Sequence, residues 1–207
     1  MEIPGELLTK NVRDGLFLAS SRSYGEQYIE PLVRAKYELI DPISNDHDGA
    51  DSEGKLYEIK ACKVLRATHN HKRAKSLLER ILFENENATT NRLVAFAESQ
   101  TAEYLANVQN VKRDHFDYLI YVLLFEDCIQ IFSAKKEDIA TGIFTSWSDK
   151  HGRYDELGKS GQFGISKRNI QWHLDNHLKD TVSYEEAVKI FSRLSEEHAS
   201  KKHNSTE

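Results

Sequence analysis

Residues 56–62 alternate strictly. Leu56, Glu58, Lys60 and Cys62 fall on one face of an extended chain, and Tyr57, Ile59 and Ala61 fall on the other. This period of two predicts a strand over LYEIKACKV, with one apolar face and one face carrying chemistry. Ser52-Glu53-Gly54 suits a hairpin turn just before it. Upstream, Ser23-Tyr24-Gly25-Glu26 has the form of a capping box. A helix starting there aligns Tyr24, Tyr28, Ile29, Leu32 and Val33, with Pro31 predicting a kink near Glu30.

Residues 72–84, KRAKSLLERILFE, have helical spacing, with Ala74, Leu77, Leu78, Ile81 and Leu82 expected as a buried stripe. Residues 91–110 are expected to be helical as well, on weaker periodicity. Two strands follow at 116–125 (FDYLIYVLLF) and 128–134 (CIQIFSA), split by a turn at Glu126-Asp127. A short helix around KKEDIA, a polar loop over 145–162 and a short strand at FGI come next. Ser166 is expected to cap a helix running to about Leu178. Ser183-x-x-Glu186 is a second capping box, opening a final helix with Ala187, Ile190, Phe191 and Leu194 inward. The order predicts an α/β (α+β mixed) fold, a central mixed sheet flanked by helices.

The 207 residues suit a single domain over 1–198. It divides into an N-terminal helical and dimerisation region at 1–40, a core at 41–180 and a C-terminal helix at 181–198, with 199–207 a frayed tail. Apolar residues make up 39% of the chain, enough for a core. No apolar run reaches the ~20 residues of a membrane span. The first residues lack the layout of a secretory leader, and two cysteines make no disulfide framework, so a cytoplasmic protein without membrane contact is expected. The net charge of −5 does not advertise nucleic-acid binding. The distribution changes that picture. Residues 60–75 hold six Lys or Arg, two His and no Asp or Glu, a local basic segment directly after the alternating strand.

That strand carries the candidate chemistry. Glu58 and Lys60 share a face, and Asp48 precedes Glu58 with nine residues between them, a spacing that suits a hairpin. Two carboxylates brought together are hard oxygen ligands for magnesium, and an ammonium beside them can orient water or offset charge on a phosphorane. Asp51, with six residues before Glu58, is the alternative first acid. Asp46 is a solvated loop acid. A Glu-x-Lys triplet alone is a weak signal, since a surface ion pair gives the same pattern.

In context, the run DGADSEGKLYEIKA resembles the catalytic hairpin of the PD-(D/E)XK nuclease superfamily. It is similar in particular to the PvuII-like type II restriction endonucleases, where an Asp also lies nine residues before the Glu. The close likeness covers some 15–20 residues, and a looser one in layout covers 24–178. The resemblance implies a restriction-endonuclease-like fold with the hairpin at the sheet centre. It implies Asp48, Glu58 and Lys60 as catalytic residues and Mg²⁺ as cofactor, held by Asp48 and Glu58. It favours Asp48 over Asp51, which becomes a turn residue. His47 stands where the superfamily conventionally has Pro. Some branches place a Glu of the N-terminal helix at the metal, which makes Glu26 a further candidate ligand against its capping role.

The implied partners are double-stranded DNA and a second copy of the chain, because one site cuts one strand. Three segments are candidates for DNA contact. His69, Asn70, His71, Lys72 and Arg73 follow the catalytic strand. Asn110 and Lys112 lie in a polar, basic run before a core strand. Gln162, Lys167, Arg168 and Asn169 mix amide readers with phosphate-binding cations at an expected helix start. His69-x-His71 lacks a third ligand for zinc. Trp147 and Trp172 read as packing residues, Tyr24 and Tyr28 as core or dimer contacts. The expected activity is Mg²⁺-dependent, site-specific cleavage of duplex DNA. A repair or junction-resolving nuclease and a non-catalytic DNA-binding module are the alternatives.

Overall fold

The computed structural model describes residues 4–20, 24–41, 47–67, 76–112, 114–140, 148 and 160–204, the last four by backbone alone. Helix α1 (Gly5–Leu18) is followed by a π-helical turn (Gly25–Ile29) that passes directly into α2 (Glu30–Tyr37). The change of helix type at Glu30 is where the kink was expected. Pro31 lies in the first turn of α2, where its missing N–H costs no hydrogen bond. Ser23 of the expected capping box lies outside the described residues.

A five-stranded mixed sheet follows, in the order β1 (Gly49–Ala50), β2 (Leu56–Lys63), β4 (Tyr118–Leu124), β5 (Cys128–Lys135), β7 (Leu178–Ser183). Among the described strand pairings only β2 and β4 run parallel. A separate antiparallel ribbon joins β3 (Ala106–Val111) to β6 (Gly161–Ile165). Helices α3 (Leu77–Glu86), α4 (Lys136–Ala140), α5 (Ile170–His177) and α6 (Tyr184–Asn204) complete the order.

Strand periodicity sends β4 to both faces. Leu119, Tyr121 and Leu123 enter one core with Cys62, Val108, Phe163 and Ile170, covered by the ribbon and α5. Ile120, Val122 and Leu124 enter the other with Ile29, Leu32, Ile59 and Tyr184, covered by α1, α2 and α6. With both faces dry, β4 reads as a continuous apolar run. Lys36 ties the helical layer to the far edge, pairing with Asp180 at 2.8 Å and Glu186 at 2.7 Å.

Five expectations are corrected. The stripe on α3 is exposed: Leu77 is 76% exposed, Leu78 66%, Ile81 57% and Leu82 52%. Periodicity identified a coherent face, but both faces of the sheet are already covered by other elements. That helix begins later than expected, at a capping box of Ser76 with Glu79. Residues 91–110 are not helical. They form short 3₁₀ turns and then β3, whose inward residues Ala106 and Val108 alternate with Asn107. Ser166 does not open a helix: 166–169 is a turn, and α5 starts at Ile170. The last helix runs on to Asn204, into the stretch expected as tail. Among the described residues no helix is long and apolar enough to cross a membrane.

Candidate active site

Strand β1 is only two residues long, so most of β2 has no strand on its outer side. Side chains take over the free edge. The Asp48 main-chain N–H donates to Tyr57 O at 2.8 Å, and Asp48 Oδ2 accepts from the Ile59 N–H at 2.7 Å. Tyr24 Oη donates to Ala61 O at 2.6 Å. Lys63, at the strand's end, donates to Phe17 O and Ala19 O at 2.9 and 2.5 Å, closing the C-terminus of α1, and its ammonium lies 4.4 Å from the Tyr24 ring centre. The candidate strand is thus fixed to both N-terminal helical segments before any chemistry is considered.

The expected trio comes together on this edge. Lys60 Nζ lies 2.5 Å from Glu58 Oε1, 3.3 Å from the Ile59 carbonyl oxygen and 3.5 Å from Asp48 Oδ2. Three oxygens from one hairpin therefore converge on one cation. Glu58 is 3% exposed. Burial pushes its carboxyl above the usual range; Lys60 opposes that and Asp48 adds to it. Burial alone pulls the Lys60 ammonium down, but Glu58 and Asp48 together outweigh it, and its pKa stands above the ordinary lysine value. Lys60 is a firm cation here.

Asp51 is taken up by the turn. Its Oδ1 accepts from the Glu53 and Lys55 N–H groups at 2.9 Å each, and its Oδ2 from Tyr57 Oη at 3.0 Å. These bonds, that of Lys55 first, hold its carboxyl below the usual range. Gly54, at φ 80°, completes the turn in a conformation that favours glycine. Asp48 is therefore the acid facing Lys60. Asp46 lies outside the described residues.

A cleft of about 550 Å³ opens beside the strand edge. Glu26, Glu30, Lys60, Lys63, Gln109 and Asn110 are among the residues that line it. Glu26 is exposed on its rim. The acid that feels the site is Glu30, four residues on. Burial first, then Asp48, pushes its carboxyl up to about 7, with Lys60 opposing and Glu26 adding. Sequence reasoning missed Glu30, although the i, i+4 spacing of the two glutamates on one helical face was the signal that pointed to it.

The donor set is hard oxygen: two carboxylates and a backbone carbonyl, gathered round a positive charge. It suits magnesium in kind, and Asp48 and Glu58 are the residues that could hold it. Among the described residues no group of three or more His, Cys, Asp or Glu side chains is close enough to form a ready-made metal cage. A cation at Asp48 and Glu58 would keep much of its water, as magnesium does.

The DNA-contact candidates divide. His69, Asn70, His71, Lys72 and Arg73 lie outside the described residues, as does Trp147. Asn110 is exposed in the cleft wall. Lys112 is half-buried, and its charge bears on Glu58. Gln162 accepts from Asn107 Nδ2 at 3.2 Å across the ribbon. Lys167 pairs with Glu103. Arg168 is exposed. Asn169 is spent on the turn before α5, accepting from the Ser166 N–H at 2.8 Å and donating to Gly164 O at 2.9 Å. Trp172 packs on His173 and His177, as expected of a packing residue. Tyr24 is core, and Tyr28 is exposed. Compared with family models, curated proteins and solved structures, the chain matches none.

Proposed function

We propose that this chain is a magnesium-dependent endonuclease of the PD-(D/E)XK kind, with a restriction-endonuclease-like fold, cutting duplex DNA at a short specific sequence as a homodimer. One observation carries the reading: Asp48, Glu58 and the Ile59 carbonyl converge on the Lys60 ammonium at the edge of an open cleft. A surface ion pair explains Glu58 and Lys60 alone. It does not explain a nearly buried glutamate, a third oxygen and a second acid on one hairpin.

Asp48 and Glu58 would hold magnesium. Bound there, the ion would lower the pKa of water and neutralise phosphate oxygens. The rest falls to the chain's own groups. Lys60 is protonated, so it acts as a charge: it orients the attacking water and offsets the negative charge that grows on the phosphorane. Burial of Glu58 keeps competing water off the inner side of the site. Lys112, whose charge reaches Glu58, offsets part of the carboxylate charge that an incoming phosphate meets. Two such sites related by a two-fold axis would cut both strands of a palindrome.

The test is incubation of the full chain with long mixed-sequence duplex DNA and Mg²⁺, read on a gel. Discrete fragments are expected. A smear indicates a nuclease without sequence preference, and preference for branched DNA indicates a repair or junction-resolving enzyme. Glu58→Ala and Lys60→Ala are expected to abolish cleavage while the fold is retained. Asp48→Asn keeps an acceptor for the Ile59 N–H, so it should lose cleavage with little loss of stability. Asp48→Ala should also cost about 1–3 kcal/mol, read by denaturant unfolding. Undiminished cleavage by Glu58→Ala sinks the assignment.

A further inference from the structure

The ribbon beside the cleft is irregular at one point. Val108 pairs with Phe163 and Val111 with Gly161, so Gln109 and Asn110 together oppose the single residue Gln162. This is a two-against-one β-bulge. Its effect on the side chains is specific. Val108 and Val111 are both fully buried. A regular strand would turn one of the two residues between them inward. The bulge leaves both Gln109 and Asn110 exposed, and both line the cleft that Lys60 and Glu30 enter.

The backbone holds Asn110 at φ 57°, left-handed, a conformation few non-glycine residues adopt and one that Asn tolerates best. Glycine would meet the turn geometry with less strain. An amide held in such a conformation at the wall of a candidate site is a reason to look for a use of the amide. Two adjacent carboxamides, each offering a donor and an acceptor, match the N6 and N7 edge of adenine in the major groove.

We propose that Gln109 and Asn110 read adenine bases close to the scissile phosphate, making the bulge a specificity element. This inference rests on the duplex-cutting reading given above. It commits the target site to at least one A·T pair within a few base pairs of the cut.

The experiment uses the full chain. Fragment ends from wild-type digestion with Mg²⁺ give the target sequence. Duplexes carrying that target are then cut with 7-deazaadenine, which lacks N7, in place of each nearby adenine. Two variants are compared: Gln109→Ala/Asn110→Gly, which suits the backbone at 110 and removes both amides, and Asn110→Asp, nearly isosteric and without the donor. Circular dichroism and thermal unfolding check that each is folded, and Asn110→Asp serves if the double variant does not fold. Loss of each bidentate pair should slow target cleavage about ten- to a hundred-fold. Weak binding to non-target duplex in Ca²⁺ should stay within about two-fold, since phosphate contacts supply it. The deazaadenine penalty should vanish in the variants.

A target without A·T pairs near the cut overturns the inference. So does wild-type speed and fidelity in folded variants. In both cases hydrolysis at Asp48, Glu58 and Lys60 stands. A wild-type smear also overturns base reading while hydrolysis stands. Absence of any Mg²⁺-dependent cleavage by the folded wild type removes both.

Discussion

At the scale of single residues, the site is set by how little of its charge is balanced. Glu58 and Asp48 share Lys60, and Glu30 remains as a further acid, its carboxyl at about 7 through burial and the Asp48 charge. Two consequences follow with opposite signs. The folded chain holds the Glu30 proton more tightly than an unfolded one. The stability that Glu30 contributes is therefore full below the ordinary glutamate range and is lost as pH rises toward 7. Cation binding runs the other way, because a deprotonated Glu30 adds attraction. Apparent Mg²⁺ affinity should rise several-fold between pH 6 and pH 8. In Glu30→Gln that rise should flatten, as read by calorimetric titration. An unchanged pH dependence in Glu30→Gln would remove Glu30 from the site. The trio of Asp48, Glu58 and Lys60 was legible in sequence, because strand period and hairpin reach are local properties. Glu30 was hidden by its neighbour: Glu26 sits in an apparent capping box and drew attention to itself.

At the scale of elements, local order was readable and long-range placement was not. The strands at 116–125 and 128–134 were plain, since apolar runs joined by a tight turn need no partner elsewhere. Strand β3 was missed because its partner β6 lies some fifty residues away, and Val108 shows its inward role only against Phe163. No strand was expected between the helix ending near Leu178 and the capping box at Ser183, for the same reason, and β7 fills that stretch. It is built of Leu178–Ser183 on the far edge of the sheet, pairing with β5. Helix α3 shows the limit of periodicity most clearly. Its Leu78 and Ile81 are exposed, whereas Ile29, on the π-helical turn, is fully buried. Leu78→Gln with Ile81→Gln should change unfolding free energy by less than about 1 kcal/mol, as surface substitutions do. Ile29→Ala should cost about 2–5 kcal/mol. Denaturant unfolding separates these outcomes, and a loss above 2 kcal/mol on α3 would mean that its apolar face is packed.

At the scale of the whole molecule, acid stability depends on a buried aromatic cluster built on Tyr121, the β4 residue that pairs with Lys60 of β2. His173 is fully buried among Tyr121, Phe163 and Trp172, and its Nδ1 lies 2.9 Å from Tyr121 Oη. Burial, with help from His177, lowers its pKa to about 3. A folded-state pKa below the unfolded value means that the folded chain excludes the proton. Stability from this residue is present above pH 6.5 and is lost as pH falls toward 3, by up to about 1.4 kcal/mol per pH unit. The thermal midpoint should drop on acidification from pH 6.5 to 4, and His173→Phe should drop less.

The parallel pairing of β2 with β4 has a consequence in time as well as in space. Tyr57 to Lys63 pair with Tyr118 to Leu124, so the inner side of the strand that carries Glu58 and Lys60 waits on residues made some sixty positions later. A growing chain carries Glu58 and Lys60 well before the strand that holds them exists. Contacts so distant in sequence form slowly, because a long loop must close before they are rewarded. The nascent protein is therefore without its candidate site until most of the sheet has been synthesised, and the cluster of Asp48, Glu58 and Lys60 is among the last features to be locked in place.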